Sequence, residues 1–159
     1  MDTNDQAPLT SATDLDFRNI VPQDPQILMD HLVAAVHSAD LATLYLLART
    51  AIKPDQLPPN EFLNHISEIQ QANVLRGCLL VHVLSRGTKV PREFQLDATL
   101  GPLDGHDVIV SSATGSGKTM IMILLLLLRP KEHTILIVPL KRLQQAQVGC
   151  IQCNVVPLC

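Results

Sequence analysis

The sequence predicts an α/β protein in which a helical N-terminal region precedes an incomplete parallel βαβ unit. Three observations predict it. Apolar residues recur at helical spacing between residues 25 and 85, with Pro and Gly at the breaks. Two short β-branched runs follow, at 107–112 and 134–138. Between them lie a Gly-rich loop and an apolar helix, and the order strand, loop, helix, strand implies a right-handed parallel crossover buried on both faces.

Residues 1–24 carry five Asp against one Arg and are interrupted by Pro8 and Pro22. Such a segment cannot bury enough apolar surface to offset its ordering entropy, so a disordered acidic tail is expected. Residues 25–88 read as a helical accessory region. Asp24 can cap and Pro25 suits the first helical position, ahead of Ile27, Leu28, Leu32, Val33 and Val36. Ser38 or Asp40 restarts a helix with the stripe Leu41, Leu44, Tyr45, Ala48 and Ile52. After Pro54, Pro58 and Pro59, Asn60 is expected to cap a third helix carrying Phe62, Ile66 and Ile69, and a fourth covers Asn73 to Leu84, stopped by Arg86-Gly87.

Residues 89–148 change character. A helix over 92–103 carries Phe94, Leu96, Ala98 and Leu100, and Gly101, Pro102 and Gly105 punctuate its end. The first strand then spans Asp107–Ser112, a turn-rich loop Ala113–Gly117, a strongly apolar helix Lys118–Leu128, and the second strand Thr134–Val138. Residues 149–159 form an irregular tail.

Composition limits the function. With 159 residues the chain is about one domain. Apolar residues at 47% against 17% charged supply an aliphatic core, while no Trp, one Tyr and three Phe argue against a surface of stacked aromatic platforms. Residues 86–159 carry eight Lys or Arg against five Asp or Glu, so the C-terminal half is the one suited to phosphates. The first ten residues lack the basic and apolar regions of a secretory signal, and the longest apolar run, Met120–Leu128, is too short to span a bilayer. No membrane association is expected, and an intracellular location is. Cys150-x-x-Cys153 has no second ligand pair, and the six His show no metal-like spacing.

The segment Ser112-Ala-Thr-Gly-Ser-Gly-Lys-Thr119 fits a phosphate-binding loop. Gly115 and Gly117 permit backbone conformations and close approaches that a side chain would block. The N–H groups around Thr114, Ser116 and the helix start can then face phosphate oxygens, aided by the helix dipole. Lys118 supplies a mobile positive charge, and the Thr119 hydroxyl is placed to ligate Mg²⁺. Ser112 stands where the pattern usually begins with Gly. The bland alternative is a Gly/Ser turn with Lys118 solvated.

With Arg92, Phe94 and Gln95 upstream and Pro139-Leu140…Leu143…Gln147 downstream, the sequence resembles the RecQ-like branch of superfamily 2 DNA helicases, relatives of the DEAD/DEAH-box proteins. The three elements resemble, in order, that family's adenine-reading motif, its motif I and its motif Ia, and Gln95 precedes Lys118 by 23 residues, similar to the family's separation. The resemblance covers about residues 90–148. It implies a partial RecA-like ATP-binding domain using ATP and Mg²⁺, with Arg92 flanking the base and Gln95 bonding its edge. It further implies contacts from Pro139, Lys141, Arg142 and Gln147 to single-stranded DNA, and a nuclear location for a eukaryotic member.

The same resemblance exposes what these residues lack. Glu132 is the one acidic residue after Thr119, so the DEAH-type box that holds Mg²⁺ and activates water is missing. The chain therefore reads as an N-terminal fragment ending after motif Ia, able to bind ATP but carrying no catalytic residue for hydrolysis or unwinding. Two other readings stand beside it: a P-loop protein of another class, such as a kinase or regulatory ATPase, or a non-enzymatic helical interaction module with a vestigial loop and a protein partner for residues 25–88.

Overall fold

The computed structural model of the chain describes residues 25–133, with residues 135 and 145. Six α-helices are present among them: α1 (Pro25–Ser38), α2 (Leu41–Ala51), α3 (Asn60–Asn64), α4 (Glu68–Leu84), α5 (Glu93–Leu103) and α6 (Thr119–Leu128), with a 3-10 turn at Pro54–Gln56. The acidic tail 1–24, the Cys-bearing tail 149–159 and the DNA-contact candidates Pro139, Lys141, Arg142 and Gln147 lie outside the described residues.

The expected parallel βαβ, RecA-like unit is corrected by this architecture. Residues 107–112 form no strand, and no strand exists among the described residues. A strand is held by a ladder of hydrogen bonds to a second segment, and β-branched composition alone supplies only a preference for extended backbone. Val108 and Ile109 are exposed, Ile109 at 97%, where a parallel strand would bury both faces. The second expected strand, 134–138, lies outside the described residues except Ile135, which is exposed and not in a strand.

Helix boundaries follow local hydrogen bonding. The Asp40 carboxylate accepts from the Thr43 N–H at 2.9 Å and starts α2. Ser67 and Gln70 form a capping box, in which the Ser67 hydroxyl accepts from the Gln70 N–H at 3.3 Å and the Gln70 side chain accepts from the Ser67 N–H at 2.9 Å. This box starts α4 five residues before the expected Asn73. It also splits the expected third helix: Asn60 is the first helical residue of α3 rather than its cap, Ile66 falls in the linker, and Ile69 sits on α4, 76% exposed. At the other end of α4, Gly87 N–H donates to the His82 carbonyl at 2.7 Å and Arg86 N–H to Val83 at 3.0 Å, with positive φ at both residues. That pattern closes a helix with a Schellman motif.

One apolar cluster unites the helices. It runs from Val36 through Leu44, Ala48, Leu75, Leu79 and Leu80 to Leu96, Leu124 and Leu127, and α4 is its centre: α1, α2, α5 and α6 all pack on it. Gly77 of α4 lets α6 come close, because a Cβ there would meet the Leu124 side chain at 3.0 Å. Cys78 is buried in the same cluster, and burial pushes its thiol up to about 12. Polar ties fix the ends. Gln71 accepts from the Tyr45 hydroxyl at 3.1 Å and donates to the Leu63 carbonyl at 3.0 Å, joining α2, α3 and α4. Gln70 donates to Asp104 at 2.6 Å, and Arg129 donates to the Leu103 carbonyl, so the ends of α5 and α6 are tethered.

The apolar helix expected over 118–128 exists as α6, one residue shorter. Its Ile121, Ile123, Leu124 and Leu127 are buried and the remaining aliphatic residues are half-buried. No helix among the described residues is long and apolar enough to cross a membrane.

Candidate nucleotide-binding site

The loop between residue 112 and α6 owes its shape to two glycines. Gly115 has φ +83° and Gly117 φ +89°, both in the left-handed region that favours residues without a Cβ. A Cβ on Gly115 would face open space, whereas one on Gly117 would meet the Gln95 amide nitrogen at 2.6 Å. The first glycine is thus required by conformation alone, and the second by conformation and a close neighbour. Between them Ser116 N–H donates to the Ala113 carbonyl at 3.3 Å, and its hydroxyl shares a 2.7 Å hydrogen bond with Ser112. Ser112, the departure from the usual glycine, therefore helps close the loop.

Lys118 curls back over the turn it terminates. Its Nζ donates to the Ser112 carbonyl at 2.6 Å and to the Ala113 carbonyl at 2.9 Å. The side chain is exposed, and among the described residues the one ion pair is Arg129–Glu132 at 2.9 Å. The Lys118 charge thus meets neutral acceptors, the two carbonyls and, at 3.4 Å, the Ser112 hydroxyl, and a phosphate oxygen would add the attraction of an opposite charge. Thr114 is exposed at the turn, and Thr119 is the first residue of α6, half-buried. The helix dipole adds to the positive field there, while the Met120 and Ile121 N–H groups already donate to the Gly117 and Lys118 carbonyls at 2.9 and 3.1 Å.

Gln95 carries the loop on its far side. It is 5% exposed; its amide oxygen accepts from the Arg92 N–H at 2.8 Å and its nitrogen donates to the carbonyls of Gly117 at 3.0 Å and Ser116 at 3.3 Å. The start of α5 and the phosphate-type loop are therefore one hydrogen-bonded unit, and both ends of the amide are engaged within the protein. Arg92, the N-cap of α5, is exposed and lines a cleft of about 590 Å³ together with Gln95, Met120 and the loop residues Gly115, Ser116 and Gly117. That volume suits a nucleotide-sized ligand.

Sequence reasoning placed Arg92, Gln95 and Thr114–Thr119 in one site; Arg92, Gln95 and Gly115–Gly117 line one cleft, while Thr114, Lys118 and Thr119 lie outside its lining, at the turn and the start of α6. It missed the opposite wall, which comes from residues 55–59 and from Thr88 and Lys89. Pro54, Pro58 and Pro59 signalled only a break in the helices, and nothing in their spacing points to a loop some 60 residues away.

The residues present fit a nucleotide's phosphates: a glycine loop open above Gly115 and a lysine in no ion pair among the described residues stand at the start of α6. Thr119 is the residue that would hold Mg²⁺ alongside the phosphates. Among the described residues no group of three or more His, Cys, Asp or Glu could hold a metal ion by itself. When bound, Mg²⁺ would neutralise phosphate charge.

Comparison with known proteins gives a partial likeness. Residues 92–152, less than half of the chain, match the family described as DEAD/DEAH box helicase. The matched segment begins at Arg92 and contains Gln95 and the whole loop. Searches of curated proteins and of solved structures give no match.

Proposed function

We propose that this chain forms the ATP-binding portion of a RecQ-like DNA helicase, with ATP and Mg²⁺ at Ser112–Thr119 and single-stranded DNA along Pro139, Lys141, Arg142 and Gln147. The observation that carries the reading is Lys118, folded over a two-glycine loop at the start of α6 with no acidic partner among the described residues. The match over residues 92–152 supports the helicase class.

In this reading the loop binds ATP, and the described residues that follow it supply no free carboxylate for its hydrolysis. Phosphoryl transfer to water needs a carboxylate for the metal and another for the nucleophile. Glu132 is the one acidic residue after Thr119, and its carboxylate is paired with Arg129 at 2.9 Å in the turn beyond α6. The loop's own residues bind and orient the phosphates: Lys118 exchanges two carbonyls for phosphate oxygens, and Gln95 holds the carbonyls of Ser116 and Gly117 in place behind them.

Calorimetric titration with MgATP tests it. The native chain is expected to bind, and Lys118→Ala to weaken binding by about tenfold or more, the loss of one charge-assisted contact. Identical affinities would remove the loop from the nucleotide site. Weaker binding of fluorescent oligo-dT by Lys141→Ala/Arg142→Ala checks the DNA contacts, which a kinase or regulatory ATPase would not make.

A further inference from the structure

The cleft beside the loop has two chemically different walls. On one side are Gly115–Gly117, leading to Lys118 and the start of α6. On the other is the segment Asp55–Pro59, which belongs to the helical region and enters the cleft between α2 and α3. The first wall leads to the Lys118 charge, whereas the second carries Asp55, exposed and in no ion pair among the described residues, with Lys89 and Arg92 also lining the cleft.

We propose that Asp55–Pro59 is the nucleoside-recognising wall of the site, so that ATP is gripped between the helical region and the loop. The inference rests on the reading of the loop as an ATP site and adds a second contact surface to it. The chemistry of the wall suits a nucleoside. The Asp55 carboxylate accepts hydrogen bonds from ribose hydroxyls or an exocyclic amine, and the Gln56 amide both donates and accepts. Leu57 and Pro59 present apolar surface against which a base can lie, with Met120 also lining the cleft.

The wall is also stiff before any ligand arrives. Pro54, Pro58 and Pro59 fix their own φ angles, and Gln56 N–H closes the 3-10 turn on the Lys53 carbonyl at 3.0 Å. Pro58 is buried, and Leu57 packs against the helical core and anchors the segment. A wall ordered in advance loses little entropy when it is used. The site thereby links residue 55 to residue 117, and nucleotide occupancy would be felt by the helical region as well as by the loop.

The test compares MgATP with inorganic tripolyphosphate, which has the charge and lacks the nucleoside. Both are titrated into the native chain, Lys118→Ala, and Asp55→Ala/Gln56→Ala, whose substituted side chains are exposed. The wall variant is expected to bind ATP about fivefold to tenfold more weakly and tripolyphosphate within about twofold of the native chain, whereas Lys118→Ala weakens both. Unchanged ATP affinity in the wall variant, with Lys118→Ala still defective, overturns the wall and leaves the loop reading standing. Equal weakening of both ligands by the wall variant also overturns it, because the substitutions would then be acting on the loop. No ATP binding by the native chain, or none of the expected loss in Lys118→Ala, overturns the proposed function and this inference together.

Discussion

Helix α4 and the run Asp107–Ser112 are both rich in aliphatic side chains, yet one is the buried centre of the fold and the other is exposed and outside any regular element. The difference lies in where each finds hydrogen-bond partners. A helix closes its bonds four residues away, and its caps are adjacent in the chain, as with Ser67 and Gln70 before α4 and Arg86-Gly87 after it. A strand finds its partners in a different segment, and among the described residues no such segment pairs with 107–112. Aliphatic content marks what can be buried; the reach of the hydrogen bonds decides what is.

The most forceful way to break that contrast is a pair of truncations. Leu80 of α4 is fully buried, and Leu80→Ala is expected to cost about 3 kcal/mol in urea unfolding. Ile109→Ala is expected to change stability by less than about 0.5 kcal/mol, as an exposed side chain should. A loss of about 2 kcal/mol or more at Ile109 would mean that the run is paired and buried in solution after all.

The loop sharpens the comparison from the other side, since it is irregular yet specified by its own residues. Gly115→Ala is expected to cost about 1–2 kcal/mol through its positive φ alone. Gly117→Ala carries the same strain and also displaces Gln95, so its loss of stability and of MgATP affinity should be the larger of the two. Equal effects would show that the Gln95 clamp is not in force.

What the sequence makes legible follows the same rule of reach. The start of α2 at Asp40, the stop at Arg86-Gly87, the extents of α5 and α6 and the two loop glycines are each written within a few residues of where they act. The start of α4 is written as locally, in Ser67-x-x-Gln70, and reading Ile66 and Ile69 as one stripe with Phe62 obscured it. The absent strand, the approach of residues 55–59 to the loop and the bonds from Gln95 to Ser116 and Gly117 all depend on contacts between distant segments, for which the sequence holds no adjacent signal.

A smaller effect tests whether that local writing carries energy. Ser67→Ala removes one half of the capping box and is expected to destabilise by about 1 kcal/mol, with the loss seen first as faster amide exchange in the first turn of α4. If the turn exchanges at its native rate, the boundary of α4 is set by packing and the contrast between local and distant signals weakens.

The smallest expected effect concerns the seam where α1 meets α4. Arg76 of α4 donates to the Val36 and Ala39 carbonyls, each at 3.2 Å, tying down the end of α1. His37 lies beside it, half-buried, and burial first and the Arg76 guanidinium second hold its imidazole below the ordinary value of 6.5. Protonation is therefore harder in the folded chain than in the unfolded one. The stability this represents is fully present above pH 6.5 and is lost as pH falls through the lowered folded value. Urea midpoints of the native chain and His37→Gln, compared at pH 7.5 and pH 5.5, isolate the contribution, because carboxylates that titrate in both chains cancel in the difference. The native chain should lose more stability on acidification than the variant. The opposite order would place His37 in a site that favours its charge, and the α1–α4 seam would then owe its stability to an anionic neighbour rather than to burial against Arg76.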